Sequence, residues 1–511
     1  MRALISVYDK TGLAAFARGL SELGCELVAS GGTASYLEEE GFAVTRVEEL
    51  TEFPELLGGR VKTLHPRIHA GILARRDDEA DLAQLAEQEI EPFDLVCVNL
   101  YPFEQVAARH DVADDEVVEM IDIGGPSMLR GAAKNHASVT AVCRSGDYET
   151  VLAELRVNGG ETSLETRRRL ASVAFATTAA YDSAIAAWFR EQEALPDTLS
   201  LSFDKVADLA YGENPHQAAA YYALRGARAH LLSRVEQLHG MPLSFNNLND
   251  LSAARLLLAE FVEPACVIVK HANPCGVAVG ATIEEAYEKA LASDPVSAYG
   301  GVVVLNRAVS AALGDALARQ FVEVLYAPGY DEQAMEALAR KASVRILNDL
   351  ERRRSTAERW DFKHVLGGVL VQDPDVGELA REAMEIGCGE VEDATWDDLL
   401  FAWRVVKHVT SNAIVLAKDG QTVGVGAGQM SRVDAVRLAL EKGRELGHDL
   451  TGAALASDAF FPFPDGPALA LEAGVRAFIQ PGGSKRDGEV VEAVSATGAS
   501  MVFTHRRHFR H

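Results

Sequence analysis

The chain has 511 residues, 48% of them hydrophobic and 24% charged, with 49 Lys and Arg against 75 Asp and Glu. A formal net charge of −26 disfavours nucleic acid and anionic membrane surfaces as partners, so an anionic substrate must be met by local clusters of Lys and Arg. Length suggests roughly three domains, no stretch approaches the roughly twenty apolar residues of a membrane helix, and six scattered cysteines without a Cys-x-x-Cys support neither a disulfide framework nor a zinc site.

Residues 1–7 lead straight into a strand without the pattern of a secretory signal, so cytoplasm is the expected compartment. The first half alternates short apolar runs with helical patterns, which predicts βα units on a parallel sheet. Residues 3–7 form a strand, and Asp9-Lys10-Thr11-Gly12 turns into a helix over 13–23. After a strand at 26–29, Ser30-Gly31-Gly32-Thr33 forms a tight turn before a helix at 34–40. Such a glycine pair either aims backbone N–H groups at a phosphate or serves the turn alone. The stretch Gly58-Gly59-Arg60-Val61-Lys62-Thr63-Leu64-His65-Pro66 and on to Gly71 has no strand or helix period. It reads as a basic loop, either anion-binding or merely solvated.

A buried strand at 95–100 ends on Tyr101, and Asp122 precedes the glycine pair Gly124-Gly125. A helix from Met128 carries Arg130, with Lys134-Asn135-His136 toward its end. A strand at 139–143 and helices at 148–156 and 164–192 follow, and the pattern fails at Leu195-Pro196-Asp197. That break divides the chain into 1–196 and 197–511. Beyond it lie two polar loops, Tyr211-Gly212-Glu213-Asn214-Pro215-His216-Gln217 and Ser244-Phe245-Asn246-Asn247-Leu248-Asn249-Asp250, the second placed to cap a helix at 251–261.

The apolar run Ala265-Cys266-Val267-Ile268-Val269 predicts a buried strand that delivers Lys270 and His271 side by side, with Asn273-Pro274 breaking it into a turn. Such a pair is either a solvated strand end or a cation beside a group that titrates near neutrality. A helix at 283–292 leads to Tyr299-Gly300-Gly301 and a strand at 302–305. Arg352-Arg353-Arg354 with Trp360 marks a second division near 350–365. A strand at 413–417 follows Ser411-Asn412, and the glycine turn at 424–432 is not Gly-x-Gly-x-x-Gly, so no dinucleotide site is read from it. The segments around 267–276 and 413–428 echo each other as strand-then-glycine pieces, as tandem copies of one α/β unit would.

About ten of these segments, in register over nearly the full length, resemble the bifunctional purine-biosynthesis family that joins AICAR transformylase to IMP cyclohydrolase. The resemblance implies an N-terminal α/β domain similar to methylglyoxal synthase and a C-terminal domain of two subdomains resembling cytidine deaminase. A deaminase's zinc signature is absent from the chain, so a site without metal is implied.

For formyl transfer the resemblance implies 10-formyltetrahydrofolate as co-substrate, His271 as base, Lys270 as stabiliser of the developing oxyanion and Asn412 as orienting group. Tyr211, Gly300, Glu323, Arg432, Phe460 and Arg507 would bind the nucleotide, and Val433, Asp465, Ser484 and Lys485 the folate. For ring closure it implies Lys134 as acid and base, with Tyr101, Asp122 and Lys62 assisting. Asp9, Lys10, Thr11, Ser30, Gly31, Gly32, Thr33, Arg60, Thr63 and Ile123 would bind that substrate. Lys62 and partial burial are expected to lower the proton affinity of Lys134.

Two positions depart from the family's pattern. Ala210 stands where relatives usually carry an arginine, and Glu323 where they tend to carry an aspartate. A homodimer with small-molecule substrates is implied. Two other readings compete: a phosphate-eliminating lyase confined to the N-terminal domain, and a nucleotide sensor without activity. The long C-terminal half counts against the first, and retention of Lys134, Tyr101, Lys270 and His271 together counts against the second.

Overall fold

Short β-branched runs become parallel strands where helices cover both of their faces. In the computed structural model, which describes residues 1–109, 111–190, 194–225, 230–349, 360–377 and 379–511, the first such sheet has five parallel strands. Their order is Thr45–Arg46, Glu26–Ala29, Arg2–Ser6, Leu95–Val98 and Thr140–Val142. Ala3, Leu4 and Ile5 are fully buried at its centre. The chain divides into Met1–Asp204 with a return starting at Ala223, and Lys205–Tyr222 with the remainder to His511.

Three sequence expectations shift in the first unit. Both glycine pairs open helices instead of forming free turns. One helix is Gly31–Glu39, and the other, Gly124–Lys134, starts four residues earlier than its apolar pattern suggests. The basic stretch is only partly a loop, since Pro66 begins the helix Pro66–Leu73 and His65 Nδ1 accepts from Arg67 N at 3.2 Å. Helix Leu164–Phe189 is long and apolar enough to cross a membrane by length and composition, contrary to expectation. Its Leu170, Ala171, Ala174 and Tyr181 are buried, and it packs on Gly124–Lys134 and Thr140–Val142. Residues 191 and 192, to which the sequence extends this helix, lie outside the described residues.

The second unit is built on a sheet of twelve strands among the described residues. From one edge to the middle run Glu385–Cys388, Ser500–Phe503, Ala477–Gln480, Ala454–Ser457, Ile414–Lys418 and Gln421–Gly426. From the middle to the other edge run Asn273–Val279, Ala265–Lys270, Gly301–Leu305, Val322–Ala327, Arg345–Asp349 and Val235–His239. The two sets mirror each other: each has an outer strand, a helix, a hairpin, and then helices alternating with three parallel strands. They join where Ala278 pairs with Gln421. Gly276 and Gly424, opposite Ile268 and Leu416, hold equivalent places. A Cβ on Gly276 would overlap the Ala290 carbonyl and one on Gly424 that of Ala439, so only glycine lets helix and hairpin pack this closely. The faint sequence echo is thus a duplicated topology. The Arg352-Arg353-Arg354 triplet lies outside the described residues.

Candidate functional sites

The loops at the carboxyl ends of the five parallel strands form the first site, where open α/β sheets bind ligands. Asn99, just past strand Leu95–Val98, ties the first loop down. Its Oδ1 accepts from Tyr8 N at 2.5 Å and Asp9 N at 3.1 Å, and its Nδ2 donates to Asp9 O at 2.7 Å. Sequence reading passed over this amide, although it stands beside the noticed Tyr101. Asp9 accepts from the Thr11 hydroxyl and N–H, which hold its carboxyl below the usual range. Lys10 Nζ donates to the carbonyls of Val7 and Tyr8.

Thr33 is buried, and its hydroxyl exchanges hydrogen bonds with Val7 N and O, both at 3.0 Å. Its hydroxyl is therefore spent on bracing the residue just past the first strand. Ser30 meets Ser6 at 3.0 Å. Lys62 Nζ lies 3.0 Å from where a Cβ on Gly31 would stand, and it pairs with Glu55 at 3.1 Å. A cation over a helix N-terminus is poorly placed by itself, and an anion between the two would be favoured by both. Gly32 opens onto free space. Arg60 instead forms an exposed ion pair with Glu119, so it is occupied in this state.

Thr63 Oγ1 lies against Gly124, and Asp122 accepts from Gly125 N at 2.8 Å. Burial pushes the Asp122 carboxyl upward, against the lowering effect of the Gly125 and Tyr101 main-chain N–H groups. Tyr181 fixes that loop, its hydroxyl accepting from Asp122 N at 2.8 Å and donating to Met120 O at 2.7 Å. Burial and then the charge of Asp122 push the Tyr101 phenol upward, so it stays protonated and can donate near neutral pH. Ile123 is exposed beside them. The Tyr101 phenol thus stands within reach of the charges of Asp122 and Lys62.

Lys134 does not join them within one copy of the chain. It closes helix Gly124–Lys134, which rises about 15 Å between those two residues. Lys134 is exposed, and it lines a separate open cleft of about 590 Å³ with His69, Ser127, Arg130 and His136, free of carboxylates among its lining residues. Lys62 is not among those lining residues, and Lys134 is exposed where partial burial was expected.

In the second unit, strands Ala265–Lys270 and Asn273–Val279 pair antiparallel with Lys270 opposite Asn273. The turn is therefore His271-Ala272, not Asn273-Pro274; Pro274 is the second residue of the next strand, beside a bulge where its missing N–H is tolerated. His271 and Ala272 take left-handed φ values of 55° and 57°. The Asp250 carboxylate accepts from both turn residues, His271 N at 3.3 Å and Ala272 N at 2.7 Å. Asp250 belongs to helix Phe245–Leu258, capped by Ser244, so the expected polar loop is largely helix. Lys270 Nζ donates to Tyr299 O at 2.8 Å, next to Gly300 with φ 74°.

Asn412 stands at the same end of the sheet, since Thr410 N donates to Asn273 Oδ1 at 2.9 Å. Its amide donates to the carbonyls of Gln429 and Met430, and its Oδ1 accepts from Arg432 at 2.8 Å. Arg432 is buried and pairs with the buried Asp458, which also accepts from Ser411 Oγ at 2.5 Å. This guanidinium, expected to hold the nucleotide, is already charge-paired and fixes Asn412. Asp458 was missed because its partners lie far away in sequence.

Glu323 accepts from Asn247 at 3.1 Å and lies 3.6 Å from Arg345, so the longer carboxylate is held in place. Tyr211 is partly buried; Ala210 is exposed, its N–H bonded to Leu243 O. Phe460, Asp465, Lys485 and Arg507 are exposed, Arg507 over the Phe509 ring, while Val433 and Ser484 are partly buried. Among the described residues no group of three or more His, Cys, Asp or Glu is placed to hold a metal ion.

A family described as the AICARFT/IMPCHase bienzyme matches residues 132–442, and an MGS-like domain matches residues 12–127. The chain is 48% identical to the bifunctional purine biosynthesis protein PurH of a Bacillus cereus strain over 514 residues, covering 100% of this chain and 99% of that protein. The PurH protein of Bacillus mycoides (strain KBAB4) aligns with the same identity and coverage.

Proposed function

The chain belongs to the AICARFT/IMPCHase bienzyme family, whose members carry AICAR transformylase and IMP cyclohydrolase activities, and from that premise we propose how its residues divide the two steps. Its substrates are small molecules, and formyl transfer requires a folate co-substrate. In our reading that co-substrate is 10-formyltetrahydrofolate and neither step needs a metal. The domains run 1–196 and 197–511, the second being two deaminase-like halves, a reading that the mirrored strand order supports.

The 5-amino group of AICAR is conjugated with its ring and is a weak nucleophile, so attack on the formyl carbon benefits from a base. His271 takes the proton as the new C–N bond forms. Lys270 stabilises the oxyanion, which collapses as the folate nitrogen leaves with a proton. Asn412, fixed by Arg432, orients the carboxamide. The observation that carries this reading is the tight turn presenting Lys270 and His271 at the sheet end that also holds Asn412.

In ring closure the carboxamide nitrogen attacks the formyl carbon and water is lost, mostly a matter of orientation. The protonated Tyr101 donates to the formyl oxygen, Asp122 takes protons, and Lys62 with the Gly31–Glu39 N-terminus holds the phosphate. Lys134 acts as acid and base from a second copy of the chain, because the helix keeps it away from Asp122 in its own. The protein is thus a homodimer in this reading.

The steps separate by substitution. His271→Ala should abolish formyl transfer and leave closure of supplied formyl-AICAR nearly intact, while Lys134→Ala should do the reverse. Equal damage to both steps by His271→Ala in folded protein would refute the division.

A further inference from the structure

The two halves of the twelve-stranded sheet each contain one two-residue hairpin turn, His271-Ala272 and Asp419-Gly420. Each is clamped by an aspartate from the preceding helix. Asp250 accepts from His271 N and Ala272 N, and Asp398 accepts from Asp419 N at 3.0 Å and Gly420 N at 2.9 Å. Both aspartates stand 21 residues before the first turn residue they hold. Both are the sixth residue of their helix, Phe245–Leu258 or Asp393–Val406.

The turns differ in what they demand. Asp419-Gly420 has the Asp-Gly pair that such turns favour. His271-Ala272 puts two Cβ-bearing residues in the left-handed region, at φ 55° and 57°, where L-residues are disfavoured. Its geometry therefore leans on the carboxylate more heavily. Only this turn carries Lys270 and His271.

We propose that Asp250 is a positioning residue for formyl transfer, holding the strained turn that aims Lys270 and His271. The inference rests on the assignment of that pair to formyl transfer. Asp250 touches no reacting atom; it acts through two main-chain N–H groups. Asp398 performs the same service for a turn without that chemistry, and so provides an internal control.

The test compares Asp250→Asn with Asp398→Asn in the full-length protein, using AICAR and 10-formyltetrahydrofolate. Both should lower the melting temperature, Asp250→Asn by more than Asp398→Asn. Asp250→Asn should lower kcat of formyl transfer about 10- to 100-fold with the KM for AICAR little changed, since small displacements of reacting groups are costly. Asp398→Asn should keep kcat within about twofold of the parent. Adding Ala272→Gly to Asp250→Asn should restore part of the lost kcat, because glycine accepts positive φ without strain. The same double variant supplies a foldable protein if Asp250→Asn alone does not fold.

Equal effects of the two asparagine variants on kcat, or no effect of Asp250→Asn, would overturn the proposal. His271→Ala measured in parallel keeps the premise separate. If that variant retains formyl transfer, the assignment of the pair has failed. If it loses formyl transfer while Asp250→Asn keeps it, only the positioning role has failed.

Discussion

Asp122 has the carboxyl whose titration should be visible in catalysis. Burial raises its proton affinity, so the ionised form is present above the shifted value and is lost as pH falls through it. Cyclisation of supplied formyl-AICAR should therefore show an acid limb at higher pH than an ordinary aspartate gives. Asp122→Asn should remove that limb and lower the plateau about 100-fold, as a pH–rate profile would reveal. Gly31 offers a second test. Its φ of 44° strains any residue with a Cβ, and a methyl there would displace the Lys62 ammonium, 3.0 Å from the Cβ position. Gly31→Ala should raise the KM for formyl-AICAR about tenfold and change kcat less, since phosphate binding is felt in ground and transition states alike.

At the scale of elements, strands were legible because apolar runs announce them, whereas turns were not. Asn273-Pro274 looked like a strand breaker, but a bulge accommodates Pro274 and the true turn lacks the glycine or asparagine that advertises it. The compensation lies 21 residues away in Asp250. Thr33 and Arg432 were recognisable as segments of a site, but the buried partners that occupy them, Val7 and Asp458, could not be read from local pattern. A related, largely buried contact joins the residues just past helix Phe245–Leu258 to those just past helix Asp393–Val406. The Glu260 carboxylate takes Lys407 Nζ at 2.9 Å and His408 Nε2 at 3.0 Å. Burial pushes Glu260 up, but these two donors outweigh it and hold the carboxyl down at about 2. Such a group adds stability above its unfolded value of 4.5 and loses it as pH falls from there toward 2. Glu260→Gln should cost on the order of 3 kcal/mol near neutral pH. In urea titrations that difference should shrink steadily below pH ~4.5.

For the whole molecule, the order of short segments sufficed to place the chain in its family, because about ten of them fall in register over nearly the full length. How the segments meet was less legible: one helix separates Lys134 from Asp122 by its length, a distance no motif states. That separation makes the assembly testable. Lys134→Ala and Asp122→Asn proteins, each defective in cyclisation alone, should regain about a quarter of parental activity when co-refolded, because half the dimers are mixed and each holds one intact site. Activity no greater than the sum of the separate variants would place Lys134 outside the shared site, and sedimentation of an active monomer would remove the dimer altogether.

The mirrored sheet also contains a natural experiment in inheritance. Lys418 occupies, at the end of strand Ile414–Lys418, the place that Lys270 holds in the other half. One change, Asp419→His, would therefore spell Lys-His on a second, equally clamped turn. Lys418 Nζ is already committed to the Asp449 carboxylate at 2.8 Å and the Thr451 carbonyl at 2.9 Å, whereas Lys270 Nζ donates to the Tyr299 carbonyl and, among the described residues, pairs with no carboxylate. In a His271→Ala background, Asp419→His should restore no formyl transfer. Two copies of the letters would then exist in one fold, with meaning in only one of them.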